Sequence, residues 1–155
     1  MTVPYFADTW YFVALIKRND RQHEVAKRIA VSLTGTTIVT SDAVLIELLN
    51  YVSESGELLR ARAGELVSRA LDGVADLQVV EQDRDLFKKA LERYRLRADK
   101  GYSLVDCMSM CIMDKQSITC AITDDRHFEQ ERFVAVRTPI NEQPSTRPKR
   151  ARGKT

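Results

Sequence analysis

The eight residues AITDDRHF, Ala121–Phe128, decide how this chain is read. A short apolar run stops at two adjacent aspartates, and an arginine, a histidine and a phenylalanine follow. Neighbouring carboxylates repel each other, so their position at the end of a strand-like run calls for a physical reason. Upstream the same punctuation recurs. VPYFA (3–7) is an apolar run that ends at Asp8, TTIVT (36–40) is β-branched and reads as a strand, and LQVV (77–80) and RFVAV (132–136) are two more. Between them lie helical patterns. DRQHEVAKRIAVSL (20–33) repeats Val25, Ile29 and Leu33 at four-residue spacing, AVLIELLNYVSES (43–55) follows a Ser41 or Asp42 cap, and GELLRARAGELVSRAL (56–71) is bounded by glycines. DRDLFKKALERYRLRA (83–98) puts Leu86, Ala90 and Tyr94 on one face, and SLVDCMSMCIMDKQ (103–116) precedes the strand ITCAIT (118–123). Strands alternating with helices predict an α/β fold with a mainly parallel sheet.

In such sheets ligands sit at the carboxyl ends of the strands. That rule selects Asp8 and the Asp124/Asp125 pair. Two further acids lie in helical patterns. Glu47 is surrounded by Val44, Leu45, Ile46, Leu48 and Leu49, where a carboxylate is costly to bury unless paired or bound to metal. Asp106 follows Ser103 by three residues, a spacing that also fits a helix capping box. Asp8 also fits an N-cap, Glu47 a side chain reaching the helix edge, and either late aspartate a turn cap. Four acids from four separate segments are harder to assign to local structure together than singly.

Composition bounds the alternatives. The chain has 155 residues, enough for one domain, with 44% hydrophobic and 30% charged residues. Runs such as Ala43–Ile46 fall far short of the ~20 apolar residues of a membrane span. MTVPYFADTW shows neither a basic n-region nor a small-residue cleavage site, so the expected location is cytoplasmic. Cys107, Cys111 and Cys120 are odd in number and form no CxxC, which fits a reduced interior better than disulfides or zinc. The net charge is +2, but Pro139–Thr155 carries five basic residues and one acid, leaving −2 for residues 1–138. That tail holds three of the four prolines and is expected to be disordered, either a solubilising end or a handle for nucleic acid. The expected organisation is a domain over 1–138 and a basic tail over 139–155.

YFADTWYFVAL (5–15), SDAVLIELLNYV (41–52), YSLVDCMSM (102–110) and ITDDRHF (122–128), taken in order, resemble the PIN-domain ribonucleases, and more narrowly the VapC-like toxins of toxin–antitoxin pairs. The resemblance covers roughly residues 3–136. It implies a three-layer α/β/α sandwich and carries the family's acidic roles onto Asp8, Glu47, Asp106 and Asp125, the T-x-D register selecting Asp125 over Asp124. It also implies an RNA substrate, a small antitoxin that plugs the acidic cleft and a homodimer.

Clustered carboxylates repel unless a cation neutralises them, and an all-oxygen set suits Mg²⁺ or Mn²⁺ rather than zinc. The expected activity is therefore metal-dependent hydrolysis of RNA phosphodiester bonds. Asp8 and Asp106 are expected to bind the metal directly, and Glu47 and Asp125 to bind it or hold its waters. Asp124, Thr123 and Ser103 are candidates for support of these ligands. Arg126 and His127 are candidates for substrate contact, although His127 also fits, and fits better, a residue that packs beside Phe128 and holds the Asp125 turn. If the last strand persisted to Asp124, alternation would point Asp124 and Asp125 to opposite faces. The alternative to a toxin is a PIN-like RNA-processing or binding domain. A phospho-acceptor receiver domain would carry its paired acids after the first strand, and a DxD phosphatase would need a second acid in DTW.

Overall fold

The computed structural model describes residues 2–74 and 76–142; the expected tail lies outside the described residues from position 143 onward. Among the described residues five strands form one sheet: β1 (Tyr5–Ala7), β2 (Ile38–Ser41), β3 (Leu77–Val80), β4 (Cys120–Ile122) and β5 (Val134–Val136). Every pairing is parallel and the spatial order is β3-β2-β1-β4-β5. Helices α1 (Thr9–Ile16), α2 (His23–Ser32), α3 (Asp42–Tyr51), α4 (Glu57–Leu71), α5 (Arg84–Leu96), α6 (Leu104–Gln116) and α7 (His127–Gln130) flank the sheet as an α/β/α sandwich. No helix among the described residues is long and apolar enough to cross a membrane.

The strand order creates a switch point. From β1 the chain moves outward on one side through β2 and β3, then returns to the other side of β1 as β4 and β5. The segments that leave β1 and β4 therefore part, and a crevice opens between them at the carboxyl edge. Register aligns this edge, with Phe6 opposite Ala121 and Ala7 opposite Ile122. The next residues, Asp8 and Thr123, then face each other across the crevice.

The core explains why these segments form these elements. Central strands buried on both faces must be apolar, and Phe6, Ala7, Val39, Ala121 and Ile122 are all fully buried. Helices α1, α3 and α6 bring Phe12, Leu48, Met110 and Met113 against them. Ser41 caps α3 through the Val44 N–H, and Asp83 caps α5 through the Leu86 N–H. His23, which its charged helix would place at the surface, is half-buried, because its Nδ1 meets the Ala14 carbonyl at 2.8 Å and ties the end of α1 to the start of α2. The first residues of the expected tail also have a place: Ile140–Glu142 form a 3-10 turn, where the Ile140 N–H reaches Ser32 Oγ at 3.3 Å and Glu142 pairs with Arg28.

The short α7 cannot hold itself in place by backbone bonds alone. Phe128 anchors it: the side chain is fully buried and its ring meets Phe133 edge-on at 6.4 Å. Phe128→Ala should cost ~3–5 kcal/mol of unfolding free energy in urea titrations. A cost below ~1 kcal/mol would mean that α7 is seated by other contacts.

Candidate active site

Each acid reaches the crevice from its own element. Asp8 leaves β1 in extended conformation at the N-cap position of α1, yet its side chain does not cap the helix. Instead Oδ2 accepts a hydrogen bond from the Thr123 hydroxyl at 2.7 Å, while the Asp8 N–H donates to the Ile122 carbonyl at 3.1 Å. The Thr123 oxygen also accepts from the Asp125 N–H at 3.0 Å. One hydroxyl thus joins the exit of β1 to the turn after β4.

Asp125 is held in that turn by His127. Its Oδ1 accepts the His127 backbone N–H at 2.9 Å, and its Oδ2 lies 3.2 Å from His127 Nδ1. The same Nδ1 lies 3.1 Å from Asp106 Oδ2. With carboxylate oxygens as its neighbours, Nδ1 is assigned as the donor nitrogen, and Nε2 has no hydrogen-bond partner among the described residues. Asp106 combines the two roles its spacing allowed. Its Oδ2 caps the Ser103 N–H at 3.0 Å, the Ser103 hydroxyl accepts the Asp106 N–H at 3.0 Å, and the carboxylate still faces His127. Ligand atoms of Asp106, Asp125 and His127 all lie within 4.8 Å of one another.

Glu47 and Asp8 stand outside that tight group. Glu47 is half-buried on α3 and takes no hydrogen bond among the described residues; the exposed Ile46 and Leu49 beside it leave it near the surface rather than in the core. Its charge still reaches Asp8. Burial pushes the Asp8 carboxyl up to about 7; the Thr123 and Thr9 hydrogen bonds hold it back in part, and the charges of Asp106 and Glu47 push it further up. A carboxyl held near neutrality by burial and by like charges is stabilised in its ionised form by a cation. The oxygen-rich donor set fits a hard divalent ion.

Asp124 takes no part in the cluster. It is exposed and pairs with Arg137 Nε at 3.3 Å, and Arg137 also bonds Glu129 at 2.6 Å. The separation of the two aspartates does not come from strand alternation, because β4 ends at Ile122. It comes from the hydrogen bonds that fold residues 123–127 into consecutive turns. Arg126 is exposed and forms no ion pair among the described residues. Sequence reading missed Tyr102, whose ring lies 5.2 Å from the His127 ring, and Glu131, which accepts from the Tyr102 hydroxyl at 3.1 Å and from Arg97 Nε at 2.7 Å. Burial, aided by Glu131, pushes the Tyr102 phenol up to about 12, so it remains a donor. Its position directly before the Ser103 cap was the one available signal.

The Asp8 shift has a measurable sign. Folded metal-free protein keeps a proton on Asp8 where the unfolded chain, with an ordinary value of 3.8, has lost it. Stability therefore falls as pH rises from about 4 to about 7, by on the order of 4 kcal/mol from this group. Asp8→Asn should remove that slope and, in chelator at pH 8, melt at or above the parent temperature. A lower melting temperature for the variant would mean that Asp8 is stabilised by a partner rather than burdened by its burial.

The PIN domain family model matches residues 5–133. Among characterised proteins, the 23S rRNA-specific endonuclease VapC20 of Mycobacterium tuberculosis is 31% identical over 135 residues, 85% of this chain and 97% of that protein. Its crystal structure, described as that of a Sarcin-Ricin loop cleaving toxin, superposes with a TM-score of 0.74 at 27% identity, covering 85% of this chain and 98% of the other. VapBC2 of Rickettsia felis, crystallised with a DNA fragment from its promoter, has a TM-score of 0.60 at 17% identity over 86% and 98% of the two chains, a likeness of fold. With most of its length matched by the family model and a relative of this identity covered almost end to end, the chain belongs to the PIN domain family.

Proposed function

We propose that this chain is a Mg²⁺- or Mn²⁺-dependent endoribonuclease that hydrolyses a phosphodiester bond to leave a 5′-phosphate and a 3′-hydroxyl. The observation that carries the reading is the convergence of carboxylates from β1, α3, α6 and the β4 turn on the switch-point crevice. A bound divalent ion would offset their repulsion, lower the pKa of a water that attacks phosphorus and balance charge on the scissile phosphate.

The chain's own residues divide the work by which oxygens they leave open. Asp8 commits Oδ2 to Thr123, and Asp106 commits Oδ2 to Ser103 and His127. Each keeps its second oxygen for a ligand. Glu47 keeps both. Asp125 meets His127 with both of its oxygens, so its share in holding the ion runs together with the imidazole. The exposed Arg126 guanidinium and Nε2 of the half-exposed His127 are the groups beside the acids able to meet a phosphate oxygen.

The likeness to VapC20 over most of both chains supports ribosomal RNA as the substrate and a toxin role in the cytoplasm. A toxin of this kind needs a small neutralising protein, whose basic side chain would find its counter-charge in the acidic crevice. Homodimerisation belongs to the same reading. The domain is 1–138, with 139–155 a basic tail.

Purified chain should cut 23S rRNA in Mn²⁺ or Mg²⁺ and stop in chelator. Asp8→Asn and Asp125→Asn should each lose about 100-fold or more, since changes even to groups supporting a metal site commonly cost 10–100-fold. Asp124→Asn should lose only a few-fold, as an exposed ion pair contributes little. Cleavage by Asp8→Asn at the parent rate would overturn the proposed mechanism at this site; a larger loss at Asp124 than at Asp125 would place the wrong aspartate in the site. Harmless overexpression of an active nuclease would remove the toxin role while leaving the chemistry.

A further inference from the structure

We infer that Tyr102 is a positioning residue of the cation site, whose ring holds the His127 imidazole at the angle at which Nδ1 spans Asp106 and Asp125. The inference rests on the metal-dependent reading of the site and concerns how the chain sets the spacing of two of its carboxylates.

His127 is the one side chain among the described residues that lies against both Asp106 and Asp125: its Nδ1 hydrogen-bonds Asp106 Oδ2 at 3.1 Å and lies 3.2 Å from Asp125 Oδ2. Its χ2 torsion lies in a broad well, so the ring needs an outside constraint to keep Nδ1 on both acids. The backbone fixes only the root of the side chain, through the His127 N–H on Asp125. The constraint on the ring comes from Tyr102, at a centroid distance of 5.2 Å and an interplanar angle of 59°.

Tyr102 is itself closely held. It is 4% exposed, its hydroxyl is bonded to Glu131, and Glu131 is gripped by Arg97. Its backbone runs from Gly101, whose φ of +69° sets the turn, into the Ser103 cap of α6. Residues 102–106 therefore carry both the ring that sets the imidazole and the Asp106 carboxylate that the imidazole meets. Arg97 and Glu131, at the ends of α5 and α7, brace the far side. Tyr102 forms no hydrogen bond to either acid among the described residues, and its effect passes through His127.

The test is Mn²⁺ binding alone, by calorimetry or by the electron paramagnetic resonance of the free ion, with thermal melts to establish the folded fraction. Tyr102→Leu removes the ring and should weaken Mn²⁺ binding about 10-fold. Tyr102→Phe keeps the ring and should stay within a few-fold of the parent. His127→Ala should reproduce the Leu effect, and adding Tyr102→Leu to it should weaken binding no further, since one residue acts through the other. A folded Tyr102→Leu with parental affinity overturns the inference, as does a Phe variant as weak as the Leu variant or additive losses in the double variant. Should Tyr102→Leu not fold, parental Mn²⁺ affinity in His127→Ala is enough to overturn it. Parent protein that binds no Mn²⁺ overturns the metal-dependent reading and this inference together, whereas a parent that binds, with unchanged variants, overturns this inference alone.

Discussion

The Thr123 hydroxyl donates to Asp8 Oδ2 at 2.7 Å and accepts from the Asp125 N–H at 3.0 Å, and the rest of the site is arranged around that knot. Serine or threonine alone can do this from a strand end, because the bond needs one oxygen that is donor and acceptor at once on a short side chain. Valine would fit the same space and leave Asp8 and the Asp125 amide without their partner. The knot works only because β4 lies beside β1 in register, with Ile122 opposite Ala7. Sheet order, register and one hydroxyl together turn two distant stretches of chain into one crevice wall.

That wall is built against an electrostatic gradient. Asp8 is almost fully buried beside other acids, and its raised pKa records the free energy stored in the arrangement. The fold tolerates this because its other parts are conventionally stable: a fully buried strand core, capped helices, and ion pairs such as Arg93–Asp114 placed away from the crevice. The storage is uneven. Asp106 takes the imidazole N–H, with Asp125 close beside it, and a backbone N–H besides, while Asp8 is only partly relieved by Thr123 and Thr9 and Glu47 takes no hydrogen bond among the described residues. A cation entering the crevice would therefore meet the least satisfied oxygens on the β1 and α3 side and the pre-organised ones on the α6 and α7 side.

How far the sequence foretold this depends on the range of each interaction. Strands and helices came from local pattern, and each has its counterpart: β-branched TTIVT holds β2, and the four-residue spacing of Val25, Ile29 and Leu33 lies on α2 and its end. The Ser103–Asp106 capping box spans three residues and was visible for the same reason. His127 was ambiguous because its second partner, Asp106, lies 21 residues away, and no local pattern encodes that distance. Tyr102 offered no signal beyond its place before the Ser103 cap, because a buried aromatic there looks like core until the His127 ring is seen against it. His23 failed in the other direction: a charged helix predicts exposure, and a carbonyl nine residues back overrides it.

The pair Asp124/Asp125 shows why the physical reason for a placement matters as well as the placement. Alternation along a strand would separate adjacent side chains, but β4 stops at Ile122 and the pleat has ended before either aspartate. The turn separates them instead. Thr123 takes the Asp125 N–H, Asp125 takes the His127 N–H, and these successive bonds coil residues 123–127 so that Asp125 faces back to α6 while Asp124 is left on the outside. There Arg137, just beyond β5, meets it together with Glu129. The two carboxylates no longer repel at close range, since one is relieved by an imidazole and the other by a guanidinium. Adjacent in sequence, they serve different neighbours: Asp125 completes the crevice, and Asp124 fastens the outside of the turn that puts it there.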